Sequence, residues 1–312
     1  MQFLQRKLLT IILVLASFMG LYAQEIDGNK LLRHLEYLSS DALEGRKPLS
    51  KGSSMAQKYI LTELTSFNLV EPLYPDFNQK FSFEDRRSKK MVVDASNIVA
   101  FIPGTSSKKV IVVTAHYDHV GIGRADASGD SIYNGADDNA SGTAALLVLA
   151  EYFSKNRPQH GMLFAALDAE EMGLQGAKAL VNDFPYPLEQ ILLNLNMDML
   201  SRSDAKEVYV SGTHYYPQFK SILEKIPTDG GSSLRFGHDI PGTGADDWTR
   251  SSDHGAFFEK KVPHLYFGVE DHVDYHRPSD SFAGIHPEFY KATVKMILKS
   301  LLALDKNLLE KQ

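Results

Sequence analysis

The chain has 312 residues, 43% of them apolar and 23% charged, with a formal net charge of −6. That length allows one large domain or two small ones, and the composition excludes disorder, collagen and coiled coil as the main architecture. Cysteine is absent, so disulfides, thiolate metal sites and a cysteine nucleophile are excluded and any metal must be held by His, Asp or Glu. The acidic balance offers no broad basic surface to a nucleic acid.

The N-terminus opens with Arg6 and Lys7, followed by an uncharged apolar run from Leu8 to Tyr22 and a small residue, Ala23. This pattern predicts a cleaved secretory signal over residues 1–23. Its removal would take two positive charges and move the net charge from −6 to −8. A run this short falls below the roughly 20 apolar residues of a membrane span, so no lasting anchor is expected, and the location expected is periplasmic or extracellular.

Asp27 can cap a first helix bearing Leu31, Leu32, Leu35 and Leu38 on one face, and Gly45 and Pro48 break it. Ser53 or Ser54 can cap a second helix, with Ala56, Tyr59, Ile60, Leu64 and Phe67 in helical period. Residues 77–102 read as short strands around a charged turn at 84–90. From Val110 the pattern changes to short apolar runs alternating with helices. Strands are expected at 110–115, 162–167, 191–197, 208–211 and 265–268, and helices at 141–153, 173–181, 217–226 and 286–309. This alternation predicts an α/β three-layer sandwich with a mostly parallel central sheet. No linker composition interrupts it, so residues 24–312 read as one domain.

In such sheets ligands bind beyond the carboxyl ends of the strands. His116-Tyr117-Asp118-His119 follows the first of these strands, Asp168-Ala169-Glu170-Glu171 the second, Asp198 the third, and a loop with His272, Asp274 and His276 the last. Gly135-Ala-Asp137-Asp138-Asn139-Ala-Ser-Gly142 lies between the first strand and its helix. One imidazole or one acidic pair would be an ordinary loop or helix-start feature. Carboxylates converging at one sheet edge repel, and a cation removes that cost. Imidazole and carboxylate without thiolate suit zinc or another divalent first-row metal.

The order and spacing of these segments, with Glu170-Glu171-Met-Gly173 and Tyr275-His276-x-x-x-Asp280, resemble the co-catalytic di-zinc exopeptidases. That family includes secreted bacterial leucine aminopeptidases, aminopeptidase Y and glutamate carboxypeptidase II. The resemblance runs from about Asn97 to the C-terminus, with residues 24–96 as an N-terminal extension. It implies His116 on one zinc and His276 on the other, Asp138 bridging both, Glu171 and Asp198 completing the two shells, and Glu170 as general base. It also implies a peptide substrate cut by a water that the two zinc ions activate. Asp118 and Asp280 are candidate acceptors for the N–H groups of His116 and His276, with a local turn or cap role as the alternative.

Ser252-Asp253-His254 matches a further family segment near the pocket, and adjacent residues cannot align as a serine triad. Asp253 and His254 are therefore expected to support the site or meet the substrate. Some family members place a Tyr shortly before this segment, where Trp248-Thr249-Arg250 stands here. The alternatives are a glutaminyl-cyclase-like enzyme with one zinc, a carboxypeptidase or dipeptidase of the same fold, and a non-catalytic domain. A carboxypeptidase needs a cationic clamp, for which Arg250 and Arg277 are the basic residues beside the motifs. Met199 is a candidate pocket wall.

Overall fold

Asp27 caps helix α1 (Gly28–Leu38), its carboxylate accepting from the amides of Asn29 and Lys30 at 2.9 and 3.1 Å. Helix α2 (Lys51–Ser66) starts one turn earlier than its sequence suggests. Ser50 is the cap and accepts from Ser53 N at 3.0 Å, while Ser53 itself is buried inside the first turn. The computed structural model describes residues 26–309 apart from Asp229. The signal expected over residues 1–23 lies outside them.

The strands are β1 (Glu71–Pro72), β2 (Asn78–Glu84), β3 (Met91–Ile102), β4 (Val110–His116), β5 (Gly121–Ile122), β6 (Ile132–Tyr133), β7 (Gly161–Leu167), β8 (Ile191–Met197), β9 (Glu207–Ser211), β10 (Ser233–Phe236) and β11 (His264–Gly268). Nine of them form one sheet in the order β1-β3-β7-β4-β8-β11-β9-β10, with β2 on β3, and β5 pairs β6 separately. The four central strands, β7, β4, β8 and β11, are parallel. The flanks join through antiparallel pairs, β3 to β7 and β11 to β9.

Alternation within the strands builds the three layers. Ile111 and Val113 of β4 face one apolar cluster with α1, α2, α3 (Gly142–Lys155) and α7 (Pro287–Leu309). Val110 and Val112 face the other, with α4 (Gln175–Asn182) and α6 (His254–Glu259). A buried aliphatic side chain contributes about 1.5–3 kcal/mol, and these runs are buried at every position. Helix α5 (Pro217–Leu223) ends earlier than expected. β10 and α6 have only 4 and 6 residues, too few for periodicity to reveal.

Candidate metal centre

The parallel strands bring their carboxyl-end residues to one edge. His116 closes β4, and Asp198 follows β8. His116 Nε2 lies 3.3 Å from Asp198 Oδ1 and 3.4 Å from Asp138 Oδ1. Asp138 faces a second group on its other oxygen, with His276 Nε2 at 3.0 Å from Oδ2, and that same imidazole nitrogen lies 3.2 Å from Glu171 Oε2. Two donor sets therefore share Asp138: His116, Asp138 and Asp198, and His119, Asp138, Glu171 and His276.

His119 is the residue that sequence reading passed over. It is fully buried, and its Nδ1 lies 2.7 Å from Glu171 Oε1 but out of hydrogen-bond alignment. Neither ring nitrogen of His119 has a hydrogen-bond partner among the described residues, and neither does that Glu171 oxygen. The available signal was a second imidazole three residues after His116, on the same strand-end loop. Gly135 makes room for the ring. It adopts φ +53°, and a Cβ there would meet Asp138 O at 2.1 Å and His119 ring carbons at 2.6 Å.

The loop carrying Asp138 is tied down from several sides. Asn139 Nδ2 donates to Met197 O at 2.9 Å, and its Oδ1 accepts from Gly142 N at 2.8 Å. Asp137 turns away from the cluster and accepts from the Ser201 amide and hydroxyl at 2.6 and 2.8 Å. Asp280 accepts from the amides of Asp137 and Asp138 at 2.9 and 3.1 Å, so its hydrogen bonds go to loop backbone, not to the His276 imidazole. Asp118 accepts from Glu170 N at 3.0 Å and lies 3.6 Å from His116 Nδ1, between the first imidazole and the backbone of the acidic pair.

Arg46 clamps the site from the N-terminal extension. Its guanidinium is buried and donates to four carbonyls: Tyr117 at 2.7 Å, Leu38 at 2.5 Å, Asn134 at 2.6 Å and Gly135 at 3.0 Å. Burial lowers its pKa to about 10 against the pull of Asp138, Asp118, Asp280 and Glu171, so it stays cationic at neutral pH.

Electrostatics sort the carboxylates. Burial pushes Glu170 well above the usual carboxylate range. His116 opposes this, and Asp253, Glu171 and Asp198 reinforce it. Burial and Asp138 also push Glu171 up, but His119 and His276 outweigh them and hold it at about 2. Burial lowers the His276 imidazole, and Asp138 and Glu171 more than reverse this, to about 10. The two acids of one dipeptide thus have opposite proton affinities, the condition for one to bind a cation and the other to carry a proton. The orphaned His119 and Glu171 atoms and the thiolate-free donor set fit a divalent first-row ion such as zinc.

Asp253 and His254 lie beside this cluster in different ways. Burial raises Asp253 to about 8, with Asp198 and Asp118 repelling it and His116 opposing. Both of its oxygens lack hydrogen bonds among the described residues. His254 Nε2 lies 2.8 Å from Trp248 O, and burial lowers its pKa to about 3. It therefore holds Trp248, which helps to line a cavity of about 190 Å³ together with Glu170, Asp198, Met199, Tyr266 and Asp271. Arg250 packs over the Phe258 ring at 4.7 Å, and Arg277 is exposed.

A mixed sheet whose parallel central strands carry paired imidazole–carboxylate clusters at their carboxyl ends has the form of a metal-dependent hydrolase centre. Residues 97–301 match Peptidase family M28, and the chain belongs to that family. It is 30% identical to aminopeptidase YwaD of Bacillus subtilis over 193 residues, covering 57% of this chain and 37% of the relative. The chain spans about a quarter to a half of the length of curated relatives it matches. In fold it is similar to a leucine aminopeptidase precursor from Bacteroides thetaiotaomicron, with a TM-score of 0.71 and 18% identity over 90% of this chain and 98% of the other. It is equally similar to Porphyromonas gingivalis glutaminyl cyclase, with a TM-score of 0.72 and 15% identity over 88% of this chain and 98% of the other.

Proposed function

We propose that this chain is an aminopeptidase that removes N-terminal residues from peptides with two zinc ions. The observation that carries this reading is a pair of donor sets sharing Asp138, with a half-buried Glu170 outside both. His116, Asp138 and Asp198 would hold one ion. Asp138, Glu171 and His276, with His119 as a further donor, would hold the other. Such a pair, when bound, polarises the scissile carbonyl and brings the pKa of an attacking water toward neutral.

Glu170 takes the proton as the water oxygen bonds to the carbonyl carbon. It returns that proton to the amine nitrogen as the carbon–nitrogen bond breaks. Its raised proton affinity suits both steps. Asp118, bound to the Glu170 amide, fixes the turn that sends the adjacent Glu170 and Glu171 side chains to different tasks. The carboxylate of Asp271 suits a substrate amine, and Met199, Trp248 and Tyr266 suit an apolar side chain.

A one-zinc reading of the glutaminyl-cyclase kind leaves one of the two donor sets as buried groups with no cation, which favours two ions. We also infer export, on the basic start and apolar run over residues 1–23, and read residues 24–312 as one unit because β2 and β3 of the extension belong to the main sheet. Metal analysis and paired assays on leucinamide and N-acetyl-leucinamide test the proposal. Two bound zinc ions and cleavage of the free amine alone are expected. Full activity with one ion or none, or equal hydrolysis of the blocked amide, would overturn it.

A further inference from the structure

A second and larger cavity, of about 670 Å³, opens on the other side of the cluster, against His119, Glu171 and His276. Its far walls carry Lys47, Arg86, Arg87 and Arg124, all exposed. These come from three separate stretches: the segment after Arg46, the β2–β3 turn and the loop after β5. Lys47, Arg86 and Arg87 precede the residues that match the family, which begin at 97.

Their charge is left open. The chain has 33 basic and 39 acidic residues, yet among the described residues none of these four cations has a carboxylate within ion-pair distance, while Lys89 in the same turn is answered by Glu84 at 3.9 Å. Besides Glu171 at the cluster, the acid lining this cavity is Asp85, and its oxygens are turned back onto the amides of Arg87 and Ser88, each at 3.1 Å. The centre is thus flanked by opposite charge: an acidic, aromatic cavity on the Asp198 side and a basic cleft on the Glu171 side. A substrate lying across it presents its amine to the first and its leaving fragment to the second.

We propose that the basic cleft binds a carboxylate on the leaving fragment, so that the enzyme selects short peptides ending just past the scissile bond, or peptides with an acidic residue there. This rests on the aminopeptidase reading. An exposed cation–carboxylate contact is worth about a two- to fivefold change in affinity, and two such contacts make a preference of about tenfold. The N-terminal extension then has a chemical role as the wall that reads the leaving side.

The test compares kcat/KM of the zinc-loaded protein for leucyl-leucine against leucyl-leucinamide, and for leucyl-glutamate amide against leucyl-glutamine amide. We expect about a tenfold advantage for one or both carboxylate-bearing members, expressed in KM. It should fall toward one in a variant carrying K47Q, R86Q, R87Q and R124Q, and in the wild type at about 0.5 M salt. Advantage in the first pair identifies the terminal carboxylate, and in the second the acidic side chain. Equal rates within both pairs, or an advantage that survives in the folded variant, would overturn the inference and leave the aminopeptidase reading standing. If the variant does not fold, an advantage indifferent to salt overturns it instead. Failure to cleave any of the four would remove the aminopeptidase reading and this inference with it.

Discussion

Replacing Arg46 by Met tests whether the N-terminal extension holds the metal loops in place. The substitution keeps an unbranched stem of similar reach and removes four donated hydrogen bonds, to Tyr117, Leu38, Asn134 and Gly135. Each hydrogen bond to a charged group is worth about 1.5–3 kcal/mol, and the carbonyls left behind are buried. Relief from desolvating the guanidinium offsets part of this, as it does when one member of a buried charged pair is removed, where the net loss is about 3–5 kcal/mol. At roughly 2–4 °C per kcal/mol for a domain approaching this size, Tm should fall by about 6–20 °C. The measurement is thermal unfolding of chelated protein, so that metal linkage does not mask the change. Arg46→Lys keeps the charge but not the planar fork and should fall between the two. A loss below about 1 kcal/mol in Arg46→Met would refute the reasoning, because the four carbonyls would then have found other partners.

Three further outcomes are expected. Glu170→Gln should lower kcat by about 10²–10⁴-fold with metal content unchanged, whereas Glu171→Gln should lose metal; equal metal content in the two would reverse the roles given to the pair. His119→Ala should weaken zinc retention under competition with a chelator, on the order of 10–100-fold, and retention equal to wild type would remove His119 from the donor set. His34 bonds Tyr59 at 2.7 Å, and burial lowers its pKa to about 4 from the ordinary 6.5. Its folded pKa lies below its unfolded one, so the unfolded chain takes up the extra proton. The contribution is therefore complete above pH 6.5 and is lost as pH falls toward 4. Between pH 7 and about 4.5 the wild type should lose on the order of 2 kcal/mol more stability than His34→Gln in denaturant titrations, and parallel losses would count against it.

The parts legible in the sequence share one property: their signal is local. β4 and β7 are nearly continuous apolar runs because both faces of a central parallel strand are covered, and a run of that kind needs no tertiary knowledge to read. Residues just past such runs fall at one edge by topology alone. Topology pointed to the segments, and the resemblance to the di-zinc exopeptidases singled out His116, Asp138, Glu171, Asp198 and His276 within them.

What stayed hidden depends on contacts between distant segments. Arg46 carries no local mark of burial, and its partners lie 8 to 89 residues away. Adjacency to motifs made Arg250 and Arg277 the candidates for the clamp a carboxypeptidase would need. The cleft beside Glu171 instead gathers positions 47, 86, 87 and 124, none of them beside His276 or the Ser252 segment. Arg250 lies next to a motif in sequence, yet its side chain packs over Phe258. Asp280 follows the same logic: four residues from His276 along the chain, it spends its oxygens on amides 142 and 143 residues away. Chemistry carried by strand ends is therefore read from order along the chain. Chemistry assembled from loops depends on which loops meet, and the cleft residues at 47, 86, 87 and 124 meet only in the folded chain.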